Sequence, residues 1–280
     1  MRRSWCLIFF FVLALIGLRA APASVNTLPF KYSEGLLWVQ IEVPHSARPL
    51  NFLFDTGAEV SVINADTAAI LGLPTGGKIK VQGVNTTTTG HWPVRLTATA
   101  GKLALPAEYL SLDLSQLALS CGRPLDGLLG ADFIQDRVVE IDFQAHLIRF
   151  CDQISPAKSD IELPLKLSGR CYCLPVQVNH QARQWVRLDT GCATALQWVT
   201  PDANIQAGTA VPAIGLAGSA IPQTQTTVLL GERQFEQVPT GLHRHAMFTG
   251  ESGLLGNGLL NCFKTVTIDT KTKRLVLSPM

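Results

Sequence analysis

Asn51-Phe52-Leu53-Phe54-Asp55-Thr56-Gly57-Ala58 decides the reading of this chain, because Gln184-Trp185-Val186-Arg187-Leu188-Asp189-Thr190-Gly191-Cys192 repeats it. In each stretch an apolar, strand-like run delivers an aspartate into a Thr-Gly turn. Each is followed at a comparable distance by Gly-Leu-Leu-Gly, at residues 127–130 and again at 253–256. Ile141-Asp142-Phe143 and Leu147-Ile148-Arg149-Phe150 close the first copy, while Ile268-Asp269-Thr270 and Leu275-Val276-Leu277-Ser278 close the second. The same elements in the same order make an internal repeat. The polar, proline-containing stretch 152–160 is the seam, which predicts two lobes at residues 24–151 and 161–280.

Outward from the repeat, the texture is strand-like. Residues 36–43, 94–98, 138–143, 172–178 and 274–277 are rich in β-branched and aromatic side chains. Thr75-Gly76-Gly77 and Ala100-Gly101 read as turns between them. Helix signals are short, as at residues 64–71, where Asn64 could cap and Gly72 stop the helix. The class is all-β. With 47% hydrophobic residues in 280, the chain can bury a real core and is not disordered. A net charge of +2 without a long basic run argues against nucleic acid as a partner.

Residues 1–23 read as a secretory signal: Met1-Arg2-Arg3, an apolar run through Leu18, then Ala21-Pro22-Ala23. The apolar run falls short of the ~20 residues that span a bilayer. Export to the periplasm or medium is therefore expected, with an uncleaved membrane anchor as the alternative. Without Arg2, Arg3 and Arg19 the remainder carries 20 basic and 21 acidic side chains, so the slight basicity belongs to the signal. Past it stand six cysteines, at 121, 151, 171, 173, 192 and 262, enough for three disulfides or for buried thiols. Cys171-x-Cys173 with His243-x-His245 is not a standard ligand spacing, so no metal is expected. The two histidines read as exposed loop residues.

The doubled constellation resembles the aspartic peptidases of the retropepsin and pepsin types, with both lobes fused in one chain. Leu129-Gly130-Ala131-Asp132-Phe133-Ile134 is similar to the short helix of bacterial retropepsin-like proteins, and Asn257-Gly258-Leu259-Leu260 fits more loosely. The resemblance implies two pseudo-symmetric, barrel-like β lobes of the acid-protease fold flanking a central cleft. It makes Asp55 and Asp189 the catalytic pair, with Thr56, Gly57, Thr190 and Gly191 supporting their loops. Residues 81–92 would form a β-hairpin flap with a Thr-rich tip, its substrate-contacting residues Gly83, Thr87, Gly90, His91 and Trp92. Residues 213–219 leave open a second flap. No cofactor is implied; the partner is a peptide or protein substrate, and one chain supplies the whole site as a monomer.

The chemistry explains the pairing. Two carboxylates a few ångström apart cannot both ionise easily, so they share one proton and act as base and acid together. Asp142 and Asp269, which also recur, sit between apolar positions and read as turn-bonding residues; Asp126 and Asp132 have no counterpart in the second copy. Ala58 and Cys192 stand where pepsin-type enzymes carry a hydroxyl, which predicts weaker stabilisation of the charged dyad and a higher pH of action. Residues 81–92 and 213–219 contain no Lys or Arg, which predicts a preference for apolar side chains at the scissile bond. The segment 26–35 is too short and too weakly basic for an inhibitory prosegment. The readings from other classes are a peptide-binding or scaffold protein of the same fold without turnover, and a disulfide-stapled adhesion domain.

Overall fold

A computed structural model of the chain describes residues 26–44, 46–84, 86–200, 210–212 and 220–280. The signal segment and the candidate second flap at 213–219 lie outside the described residues. Strands dominate, in one sheet of 13 strands, one of eight and one of two, with four short helices beside them. Among the described residues no helix is long and apolar enough to cross a membrane.

The same crossing occurs twice, and it positions the site. Strand Leu50–Phe54 lies parallel to Gly127–Leu129, which runs antiparallel to Val62–Asn64 on its other side. Strand Gln184–Leu188 lies parallel to Gly253–Leu255, which runs antiparallel to Leu196–Val199. The chain therefore leaves each aspartate, loops out, and sends Gly-Leu-Leu-Gly back beneath it. Gly127 is obligatory there because a Cβ would lie 2.3 Å from the Val62 carbonyl oxygen; at Gly253 it would lie 2.2 Å from that of Gln197. The Asp55 and Asp189 amides donate to Leu129 O at 2.9 Å and Leu255 O at 3.0 Å, which ties both turns to the returning strands.

The halves are joined by more than the seam. Strand Val138–Asp142 pairs antiparallel with Phe263–Asp269, Ile141 opposite Val266, so one sheet runs from the first half into the second. Strand Ile161–Pro164 joins this sheet through Arg274–Pro279. Asn26–Ser33 is itself a strand, paired with Leu147–Cys151 and Leu36–Ile41, so this segment is built into the body. The turn-bonding role of the late aspartates is plain in both halves. Asp142 Oδ1 accepts from Gln144 N and Ala145 N, and Asp269 Oδ1 from Lys271 N and Thr272 N.

Some expectations are corrected. Thr75-Gly76-Gly77 does not form a turn but opens strand Thr75–Gly83. Gly76 allows close approach there, since a Cβ would sit 2.2 Å from the Trp92 carbonyl oxygen. None of the six cysteines from 121 onward is in a disulfide; four are buried singly, Cys151 is half-buried and Cys262 exposed. His243 is buried, its Nε2 2.9 Å from Gln197 Oε1, whereas His245 is exposed as expected. A polar partner across the sheet outweighs the polar look of the local sequence.

Candidate active site

The two Asp-Thr-Gly turns meet face to face. The Thr56 amide donates to Thr190 Oγ1 at 3.0 Å, and the Thr190 amide to Thr56 Oγ1 at 3.1 Å. Each hydroxyl passes its own proton to a carbonyl of the opposite strand, Thr56 to Leu188 O at 2.8 Å and Thr190 to Phe54 O at 2.6 Å. Both threonines are buried, so this closed ring of four bonds works without competition from water. It locks one turn to the other.

The carboxylates are held with the same symmetry. Gly57 N donates to Asp55 Oδ1 at 2.9 Å and Gly191 N to Asp189 Oδ1 at 2.9 Å. Ala58 N adds a second donor to Asp55 Oδ1, at 3.1 Å. Each glycine faces the opposite aspartate: a Cβ on Gly57 would lie 2.4 Å from Asp189 Cγ, and one on Gly191 2.4 Å from Asp55 Cγ. The two side chains are hydrogen-bonded to each other. Burial pushes both carboxyls above the ordinary carboxylate range, Asp189 the more strongly because the Asp55 charge adds to it. Against this, the backbone donors and the Arg187 charge favour ionisation. The net direction is upward, so both carboxyls hold a proton more readily than isolated aspartates do.

Comparison with known proteins fits this geometry. Residues 39–133, which hold the first turn and its returning strand, match the family model described as aspartyl protease. Over that third of its length the chain is similar to the aspartyl proteases. No curated protein matches the chain significantly. Among solved structures, the aspartic proteinase from Irpex lacteus superposes with a TM-score of 0.58 at 14% identity, over 92% of this chain and 98% of that one. At that identity the likeness is one of fold, an all-β acid-protease architecture.

The cleft encloses about 400 Å³ beside the paired carboxylates. A hairpin of strands Thr75–Gly83 and Thr86–Arg95 overhangs it. Gly83 pairs with Thr86, so the threonines belong to the returning strand rather than to the tip. Of the expected contact residues only Gly83 lines the cleft, together with Ile79, Lys80, Val81, Gln82 and Val84 of the outgoing strand. Thr87 is exposed, and Gly90 is packed on Leu110 and Leu112. His91 Nδ1 lies 3.2 Å from Gly76 O at the hairpin's base, beside Trp92, which packs on an apolar cluster. From the hairpin, Gln82 Nε2 reaches across to the second half and donates to Met247 O at 3.2 Å.

The walls of the cleft differ. The first half contributes Leu53, Val62, Leu110, Leu112, Leu117 and Leu128, all buried members of one continuous apolar cluster. The second half contributes Arg187 and Phe248, and Glu59 and Lys80 also reach the lining. Two basic groups outside residues 81–92 and 213–219 reach this cleft: Lys80 precedes the segment read as the flap, and Arg187 lies on the strand before Asp189. Repeat comparison carried a signal for Arg187, because it occupies the position of Leu53 in the first copy. Cys192 turns its thiol away, to 3.1 Å from Thr194 Oγ1. Among the described residues no hydroxyl donates to either carboxylate of the pair.

Proposed function

We propose that this chain is an aspartic endopeptidase in which Asp55 and Asp189 share one proton and hydrolyse peptide bonds through an activated water. The observation that carries the reading is the reciprocal seating of each Gly against the opposite carboxylate, which brings the two acids together at the cleft. The ionised carboxylate takes a proton from water as its oxygen attacks the peptide carbon, and the protonated one gives its proton to the carbonyl oxygen. On collapse of the resulting diol, the carboxyl that took water's proton delivers it to the departing amine, and a diol hydroxyl returns a proton to the acid that had protonated the carbonyl. Water is thereby added across the C–N bond, and the pair regains its starting state. The same proposal takes residues 1–23 as an export signal, the lobes as 24–151 and 161–280, and a monomer as the working unit, since one chain provides both acids.

Incubating the exported protein with a mixed peptide library tests this. Internal cleavage that disappears with Asp189→Asn is the expected result. Binding of extended peptides without cleavage would instead favour the scaffold reading. The library also reads specificity: with the first half walled by leucines and valines, large apolar residues are expected on at least one side of the scissile bond. A profile led by charged residues on both sides would contradict the wall described above.

The pH of action follows from the donors present. A hydroxyl on a carboxylate favours its charged form, and here that donor is missing at Ala58 and turned away at Cys192. The pair therefore gains its shared proton at higher pH, and the singly protonated window moves up. Activity should peak in mildly acidic solution. Ala58→Ser should draw the acidic limb of the pH–rate profile downward; an optimum near pH 2, or an unmoved limb, would refute the argument.

A further inference from the structure

Arg187 and Glu251 break the symmetry of the repeat. Two residues before Asp55 stands Leu53, and two before Gly127 stands Leu125, both in the apolar cluster under the cleft. At the corresponding places in the second half stand Arg187 and Glu251, with side chains 4% and 2% exposed. Arg187 Nε and Nη2 donate to Glu251 Oε2 and Oε1, each at 2.7 Å, and Ser168 Oγ adds a bond to Oε1 at 2.8 Å. Phe248 covers the guanidinium, its ring centroid 3.6 Å away. Stability does not account for the pair, because apolar residues of similar volume do as well as a buried ion pair or better. The first half shows that the fold accepts them.

What two leucines could not make is the third contact. Arg187 Nη1 donates to Gly57 O at 2.8 Å, across the boundary between the halves, and Cys171 Sγ donates to the same oxygen at 3.2 Å. Gly57 is the residue whose amide holds Asp55 and whose Cα faces the Asp189 carboxylate.

We propose that Arg187 is a positioning residue: clamped by Glu251, it reaches over the boundary to hold the Gly57 turn and places a fixed positive charge beside Asp55 and Asp189. This rests on the endopeptidase reading given above. Lys80 reaches the cleft lining from the hairpin, but Arg187 is the cation that lowers both carboxyls. Glu59 is an acid, and Cys171, Cys173 and Cys192 are kept as neutral thiols by burial, which pushes the latter two up to about 12. Lys166 faces Cys173 rather than the acids. Against the burial that raises both carboxyls, the Arg187 charge lowers both, while the carboxylate of Glu251 is spent on the fork.

The decisive variant is Arg187→Leu with Glu251→Leu, which copies the first half and leaves no buried charge unpaired. Thermal unfolding reports whether it folds, kcat and KM on one library peptide report turnover, and carbon-13 titration of the aspartate carboxyls reports the pair directly. The expected result is a folded protein whose kcat falls about tenfold or more at little-changed KM. Its acidic limb and the lower carboxyl titration step should move up by about one pH unit. Arg187→Lys, which keeps the charge and loses the fork, should lower kcat while leaving the acidic limb near that of the wild type. Wild-type kcat with an unmoved limb in the double variant overturns the proposal, as does wild-type kcat in Arg187→Lys if the double variant fails to fold. If the wild type cleaves nothing, the endopeptidase reading falls; an unmoved lower titration step would then overturn the Arg187 assignment separately.

Discussion

Replacing Asp55 with asparagine is expected to lower peptide cleavage by roughly 10²–10⁴-fold, the share that general acid–base catalysis supplies, and to stabilise the protein at neutral pH. The loss follows from the proton economy of the pair: an amide can neither take a proton from water nor pass one to the carbonyl. The gain follows from burial, which raises both carboxyls above their ordinary range in the folded protein. A raised carboxyl gives stability that is fully present below the unfolded-state pKa of about 3.9. That stability is lost as pH rises through the folded-state value, where the acids must ionise against burial and each other. Asparagine never ionises. The melting temperature of Asp55→Asn should therefore match the wild type near pH 3 and exceed it by pH 7. Equal melting temperatures at pH 7 would mean that the carboxylates are not held close in a dry site.

Gly191→Ala is expected to be nearly as damaging without removing any acid. The added methyl would lie 2.4 Å from Asp55 Cγ and 2.5 Å from Oδ1, closer than such atoms approach. Asp55 cannot swing aside cheaply, because the Gly57 and Ala58 amides hold its Oδ1. Either the carboxylate loses those donors or the ring of threonine bonds between the turns opens. A misplacement of about 1 Å at reacting groups costs on the order of 10²-fold in rate, and overpacking costs about 1–3 kcal/mol in stability. Kinetics and thermal unfolding of the purified variant check both. Wild-type kcat would show that the two turns are further apart than the structure places them.

The sequence revealed most where backbone geometry dictates residue type. Gly127 and Gly253 must lack side chains for strands to cross, and Asp142 and Asp269 must be short acceptors for a tight turn. Such constraints leave the same letters in both halves. The hairpin was harder to read. Its register is set by cross-strand pairs such as Gly83 with Thr86, and a run of four threonines suits a strand as well as a tip. Arg187 and Glu251 were illegible locally, because charged residues in alternating strands usually face water, and only the fold brings these two together under Phe248. An even number of cysteines suggested disulfides, yet all six stand as free thiols, four of them buried.

The sheet shared by the two halves also limits how the cleft can admit a polypeptide. Val138–Asp142 and Phe263–Asp269 are stitched along five residue pairs, and the threonine ring adds a second seam nearer the cleft. Swinging the lobes apart would have to tear both. The hairpin, by contrast, is fastened to the far wall through the Gln82–Met247 bond, a contact worth about 1 kcal/mol. The arrangement is a light door on a stiff frame: the hairpin is the part that can lift at little cost while the acids behind it keep their spacing.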